Sequence, residues 1–345
     1  MNRVILSFLV FAFVLAAGCV QQAQPTPTPA PTATPVPTVF QPSAQATASV
    51  QEAMTVPHEG QWGIYSLDLA SQRVELVYGS DQIYSSAIRL NPAGDELVFA
   101  KKTGAADEST EIFVVGVDGA GLRRVTNNSF WDLYPAWSPD GTRIAFLSKR
   151  EKDLDLYVVD ASGGNERKLY DSGDNDADVD WAGNKLVFTT GFKVWTVNED
   201  GTEAFQVTNP ANAGQWGSAN LPIGDYDPRF SSDGARIVFE RLEDPNTTHG
   251  GYNLFTINSD GTGERRLTDD NYSQGLASWS RDGTKIVYVV AAIGEEGKYD
   301  LYVMNADGSD SRDVTPSYFP PDFLCHAPVF SEDGSKIFFV GQWWQ

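Results

Sequence analysis

The sequence predicts an all-β protein, a six-bladed β-propeller closed by pairing an N-terminal with a C-terminal half-blade. Two recurring motifs and the order in which they occur predict it. The first motif is a turn of the form Ser-Pro-Asp-Gly followed by an apolar run. It stands at 91–94 and 138–141, in shorter form at 182–184, and again at 231–234, 280–283 and 331–334. The second is an apolar strand, a tight polar turn and a strand that usually ends in Leu-Thr or Val-Thr. Its copies begin at Ile64, Ile112, Leu156, Val194, Leu254 and Leu301. A period of about forty to fifty residues marks a repeat architecture.

Each motif reads as a β-hairpin, because the Gly of turns such as Asp118-Gly119 and Asp200-Gly201 supplies the positive φ that these turns need. Six hairpins of each kind give about 24 short strands, enough for six four-stranded sheets. The order decides between a ring and an open solenoid. The repeats open with the second motif, from Ile64 to Tyr78, and close with the first, from Val329 to Val340. The sixth sheet is therefore assembled from two distant segments, which pairs strand edges that would otherwise stay open.

From the N-terminus, Arg3 precedes an apolar stretch from Val4 to Ala17, and small residues follow. This describes a secretory signal, residues 1–18. The sequence Leu15-Ala16-Ala17-Gly18-Cys19 resembles a bacterial lipobox. That resemblance implies an acylated Cys19 as membrane anchor; an ordinary signal or an uncleaved anchor is the alternative. Residues 19–60 hold Pro-Thr-rich, low-complexity sequence that buries too little apolar surface to fold, and they read as an extended spacer. Residues 61–345 are the propeller.

Within the propeller, runs such as Lys285-Ile286-Val287-Tyr288-Val289-Val290 do not alternate with polar residues, so both faces of these sheets are expected to be covered. Trp137, Trp181, Phe230, Trp279 and Phe330 share one repeat position before the first turn and read as packing between blades. The run from Pro135 to Phe146, then Asp155 to Asp160, resembles the WD40-like PD40 repeat of TolB-type propellers. The resemblance spans about residues 62–341 and implies a TolB-like propeller. The α/β domain that precedes the propeller in TolB proteins has no counterpart pattern in residues 1–60.

The formal charge of −21 and a pI near 4.4 argue against nucleic acid and against adsorption to anionic lipid. With Cys19 acylated, Cys325 has no disulfide partner. No Gly-x-Ser-x-Gly elbow is present, and three histidines do not make a His-rich metal site. The run Asp174, Asp176 and Asp178 has the alternating oxygens of a calcium loop, but Trp181 stands where such loops turn on glycine. Calcium is the one cofactor that this run suggests; otherwise none is expected.

Loop asymmetry gives the functional expectation. The tight turns lie on one face of the ring and the long connections on the other. The connections at 79–86, 127–134, 171–178, 209–227, 269–276 and 316–326 contain no Lys or Arg. They hold Trp131, Asp132, Asp176, Asp178, Trp216, Asp225, Asp227, Tyr272, Tyr318 and His326, expected to form an acidic, aromatic channel mouth. Asp132, Asp176 and Asp225 share one repeat position and are expected to point together toward the axis. There, mutual repulsion favours a bound cation or a protonated carboxyl, so replacing Asp132 and Asp225 with Asn should stabilise the empty protein and weaken partner binding. The expected function is an extracytoplasmic, membrane-anchored monomer that binds a protein, peptide or glycan at this mouth. The alternative is a metal-dependent lyase or hydrolase in the channel.

Overall fold

A computed structural model describes residues 61–104, 109–216, 222–243, 251–269, 272–292 and 298–343. The signal at 1–18, the spacer at 19–60 and Cys19 lie outside the described residues. The described residues form 24 strands in six antiparallel four-stranded sheets.

Blade 1 is β3–β6 (Ile83–Leu90, Glu96–Lys102, Thr110–Gly116, Arg123–Arg124) and blade 2 is β7–β10 (Asp132–Trp137, Arg143–Ser148, Asp155–Asp160, Arg167–Tyr170). Blade 3 is β11–β14 (Asp176–Ala182, Lys185–Thr190, Lys193–Asn198, Phe205–Gln206). Blade 4 is β15–β18 (Gly224–Phe230, Arg236–Leu242, Tyr252–Asn258, Arg265–Arg266). Blade 5 is β19–β22 (Ser273–Trp279, Lys285–Ala292, Lys298–Asn305, Arg312–Asp313). Blade 6 joins β23 and β24 (Phe323–Phe330, Lys336–Trp343) to β1 and β2 (Gly63–Asp68, Val74–Gly79). β1 pairs antiparallel with β24 from Gly63–Gly341 to Asp68–Lys336, so the expected composite blade is formed. The innermost strands pack in succession around the ring, β23 returning to β3.

The recurring letters have local jobs. In the first turn of blade 2, the Gly141 N–H donates to the Ser138 carbonyl at 2.9 Å. The Ser138 hydroxyl donates to Asp140 (2.5 Å), and the same carboxylate oxygen accepts the Thr142 N–H (3.0 Å). The same serine–aspartate bond recurs at Ser231–Asp233, Ser280–Asp282 and Ser331–Asp333. The threonine that ends the second motif caps the third strand. Thr126, Thr208, Thr268 and Thr315 accept at Oγ1 from the N–H of Ile112, Val194, Leu254 and Leu301.

The second-motif glycines also join blades. Gly119 has φ 82°, and a Cβ there would stand 2.4 Å from the Val77 carbonyl of the preceding blade. Gly201 repeats this against Leu169, at 2.3 Å. A side chain is therefore excluded both by backbone conformation and by the neighbour.

The shared aromatics pack between blades, as expected. The Arg143 guanidinium lies 4.9 Å from the Trp181 ring centre and Arg236 lies 4.5 Å from that of Trp279. The Trp279 indole N–H donates to the Arg229 carbonyl, 3.2 Å away in the preceding blade. Fully buried Leu97, Phe146, Phe188, Phe239 and Phe339 on the second strands fill the blade interiors.

Candidate functional site

Asp132, Asp176 and Asp225 occupy one register position, opposite Ser148, Thr190 and Arg241. All three are fully buried, and each is bonded by side chains of its own blade or of the connection leading into it, not gathered with the other two. This corrects the expected convergence. Asp132 accepts from Ser148 (2.5 Å) and Asn128 (2.7 Å). Asp225 receives two bonds from Arg241 (2.5 and 3.0 Å), which also grips Glu264. Asp176 accepts from Ser172 at 2.5 Å, and its second oxygen has no partner. Burial pushes Asp176 up to about 8, so it is held largely protonated near neutral pH.

The remaining mouth residues divide. Trp216 and Tyr272 are about half exposed on the long-connection face. Trp131 is partly buried, with the Lys149 ammonium 5.3 Å from its ring centre. Tyr318 does not line a mouth; its hydroxyl donates to the Gln72 carbonyl at 2.9 Å, in the turn between β1 and β2. His326 is buried beside Tyr299, with ring centres 5.0 Å apart, and burial pulls it down to about 4, so it is a neutral core residue.

The calcium run does not close around a point. Asp174 is an exposed bend residue, Asp176 is tied to Ser172, and Asp178 faces the neighbouring blade. Among the described residues, Glu151, Asp155 and Asp171 do cluster closely enough to share one ion. The Lys168 ammonium already fills that place, 2.8 Å from Asp155, 3.0 Å from Asp171 and 3.4 Å from Glu151.

What the sequence concealed is a β-bulge. In blades 2 to 6 the innermost strand carries two residues against one of the second strand. The first of the two has a positive φ each time: Tyr134, Asp178, Asp227, Leu276 and Ala327. A bulge re-aims side chains, and here the side chains differ from blade to blade. In blades 3 and 4 it delivers two carboxylates to one place, since the Asp227 N–H donates to Asp178 Oδ2 at 3.2 Å. Arg229 pairs with Asp227 and reaches the Asp178 carbonyl at 3.3 Å. Glu240, opposite Tyr226 on β16, joins this acidic group. Burial raises all three carboxyls; the charge of Asp227 raises Asp178 and Glu240 further, while Arg229 and Arg89 pull Asp227 back down.

One step before the shared aromatic lies a second variable position, occupied by Arg89, Ala136, Asp180, Arg229, Ser278 and Val329 around the ring. Arg89 of blade 1 reaches Asp180 of blade 3 at 3.6 Å, across the axis. Below this level a cavity of about 240 Å³ draws its lining from all six innermost strands and opens among the first-motif turns. This concavity therefore lies on the tight-turn face, opposite the one where the mouth was expected. Of the predicted residues none lines it; Trp137, Trp181 and Trp279, read as packing, do.

Comparison with known proteins fits this geometry. Residues 56–215 match the TolB beta propeller domain, PD40. The propeller is TolB-like. A TolB homolog of Chlorobium luteolum is 28% identical over 115 residues, 33% of this chain and 25% of that protein. An uncharacterized protein of Agrobacterium fabrum is 27% identical over 192 residues, 52% of this chain and 61% of that protein. The chain thus spans less than two thirds of the length of either curated relative. The solved structure of a putative TolB from Agrobacterium tumefaciens superposes with a TM-score of 0.64 at 17% identity, covering 83% of this chain and 99% of that one, a likeness of fold.

Proposed function

We propose that this chain is an extracytoplasmic binding protein of the cell envelope, tethered through acylated Cys19, whose TolB-like propeller holds a protein partner on its long-connection face. The observation that carries this reading is Trp216. Its indole is half exposed, and described backbone on both sides of it is paired. The Gly214 N–H donates to the Ile223 carbonyl (2.8 Å), the Ile223 N–H returns to Gln215 (2.9 Å), and Trp216 bridges to Pro222. An exposed aromatic on paired backbone suits a partner anchor. Tyr272, from the connection between blades 4 and 5, offers a second aromatic on that face. The Pro-rich spacer lets the monomeric ring reach a partner away from the membrane surface.

A photoreactive residue placed at 216 in intact cells should give a discrete protein-sized adduct, and one at 232 on the opposite face should not. Equal labelling at both positions, or none at 216, overturns the partner face; a glycan-sized adduct replaces protein with glycan. Cys19→Ala should release the protein to the soluble fraction or leave the precursor uncut, and unchanged retention with normal processing removes the lipid anchor. For the alternative, a metal-dependent lyase or hydrolase, the described carboxylates close enough to share one ion, Glu151, Asp155 and Asp171, already surround Lys168.

A further inference from the structure

We propose that the axial cavity on the tight-turn face binds a small monocarboxylate carried on a flat apolar body, its charge taken up by Arg89. The proposal stands apart from the partner face. It rests on an imbalance of donors and acceptors at the cavity floor.

Of the five charged side chains that line the cavity, Arg281 and Glu332 pair with each other at the first-motif turns (3.5 Å), and Arg89, Asp180 and Arg229 stand on the innermost strands as its floor. Arg229 is committed, to Asp227 and to the carbonyls of Asp178 and Pro228. Asp180 is committed as well; its Oδ2 accepts the Phe230 N–H at 2.9 Å and its Oδ1 faces Arg89. Arg89 is not. Its side chain is 11% exposed, one terminal nitrogen donates to the Ile88 carbonyl (2.7 Å), and Nε and Nη2 have no hydrogen-bond acceptor. A buried guanidinium with idle N–H groups is costly and calls for a partner. Asp178 and Asp227 favour its charge from a distance but do not bond it; Asp227 pairs with Arg229 instead. Asp227 Oδ2 and Glu240 Oε2 also lack partners, but neither residue lines the cavity, where the idle groups of the innermost-strand charges are the N–H donors of Arg89. An edge-on carboxylate matches adjacent guanidinium N–H groups better than a spherical anion does.

The walls and volume set the rest of the ligand. Trp137, Trp181, Trp279 and Phe330 surround the space above the floor. About 240 Å³ holds an acid of roughly eight to ten non-hydrogen atoms, by the volume share of water-sized groups. A flat ring seated against indole walls uses that space well.

Calorimetry on the purified full chain, with phenylacetate as probe, tests the proposal. Phenylacetate should bind, and phenylacetamide and benzylamine, which share its ring, should bind at least about tenfold more weakly. Arg89→Gln should weaken phenylacetate at least about tenfold. Asp180→Asn keeps the acceptor for Phe230 but removes the internal rival for Arg89, so it should tighten binding several-fold. Ser278→Leu fills the cavity without touching an ion pair and should abolish binding, which keeps the test decisive if the Arg89 variant does not fold. No phenylacetate binding at about 10 mM, benzylamine matching phenylacetate, weaker binding in Asp180→Asn, or unchanged binding in Ser278→Leu would each overturn it.

Discussion

The frame of the ring and its axis are built from the same strands, yet they treat sequence in opposite ways. In the frame, one residue type does one job at nearly every repeat: Ser138, Ser231, Ser280 and Ser331 close first turns with an aspartate two residues on. At the axis, the same backbone geometry carries Tyr134, Asp178, Asp227, Leu276 and Ala327. Repetition marks what each blade needs in order to exist. Divergence at constant geometry marks positions released from that duty, and these are where a site can be written.

The most severe way to break the comparison is to cut the frame. Deleting 336–343 removes β24, the strand through which β1 joins the ring, and leaves open edges on both halves of blade 6. No cooperative melt should remain, and a soluble truncation that melts cooperatively would defeat the closed-ring account.

Next come two substitutions at one register position that should act in opposite directions. Asp225→Asn leaves Arg241 short of a buried counter-charge and should destabilise by about 2–4 kcal/mol, contrary to what axial repulsion would give. Asp176→Asn should stabilise at pH 8 by roughly 1–3 kcal/mol, because it removes a carboxyl that folding holds protonated. The sign follows from linkage. Asp176 is raised from 3.8 to about 8 in the fold, so its contribution is complete below about pH 4 and is lost as pH rises through about 8. Urea titrations of both variants at pH 5 and pH 8 check this; equal signs would dissolve the distinction.

A smaller effect belongs to a single turn. Asp140→Ala loses the bonds to Ser138 and Thr142 and should cost about 1 kcal/mol, with the ring intact. Hydroxyl bonds from Ser138, Ser280 and Ser331, with the turn backbones, hold Asp140, Asp282 and Asp333 down at about 2. These groups stabilise the fold above about pH 4, and that contribution is lost as pH falls through about 2. The acid limb of a pH–stability curve should flatten in the triple alanine variant. The smallest effect is at Trp216, where alanine should change stability by less than about 0.5 kcal/mol while removing partner binding. A large loss of stability would return the indole to the core.

Periodicity by itself determined the number of blades, their order, the composite closure and the inter-blade role of Trp181 and Trp279. Each of these follows from local turn chemistry and apolar runs, which are written in consecutive letters. The sequence also located Trp216 and Tyr272 on exposed connections, because aromatic residues there have few neighbours in the chain. It could not direct Asp132, Asp176 and Asp225, since direction depends on whether Ser148, Thr190 or Arg241 stands opposite in the sheet. Nor could it reveal the bulges at Asp178 and Asp227, which have no signature glycine, or the meeting of Arg89 with Asp180. Those two residues are 91 positions apart in the numbering and two blades apart in the ring. Only closure of the ring brings them to one axis, where burial and the lack of acceptors turn an ordinary arginine into a candidate ligand contact.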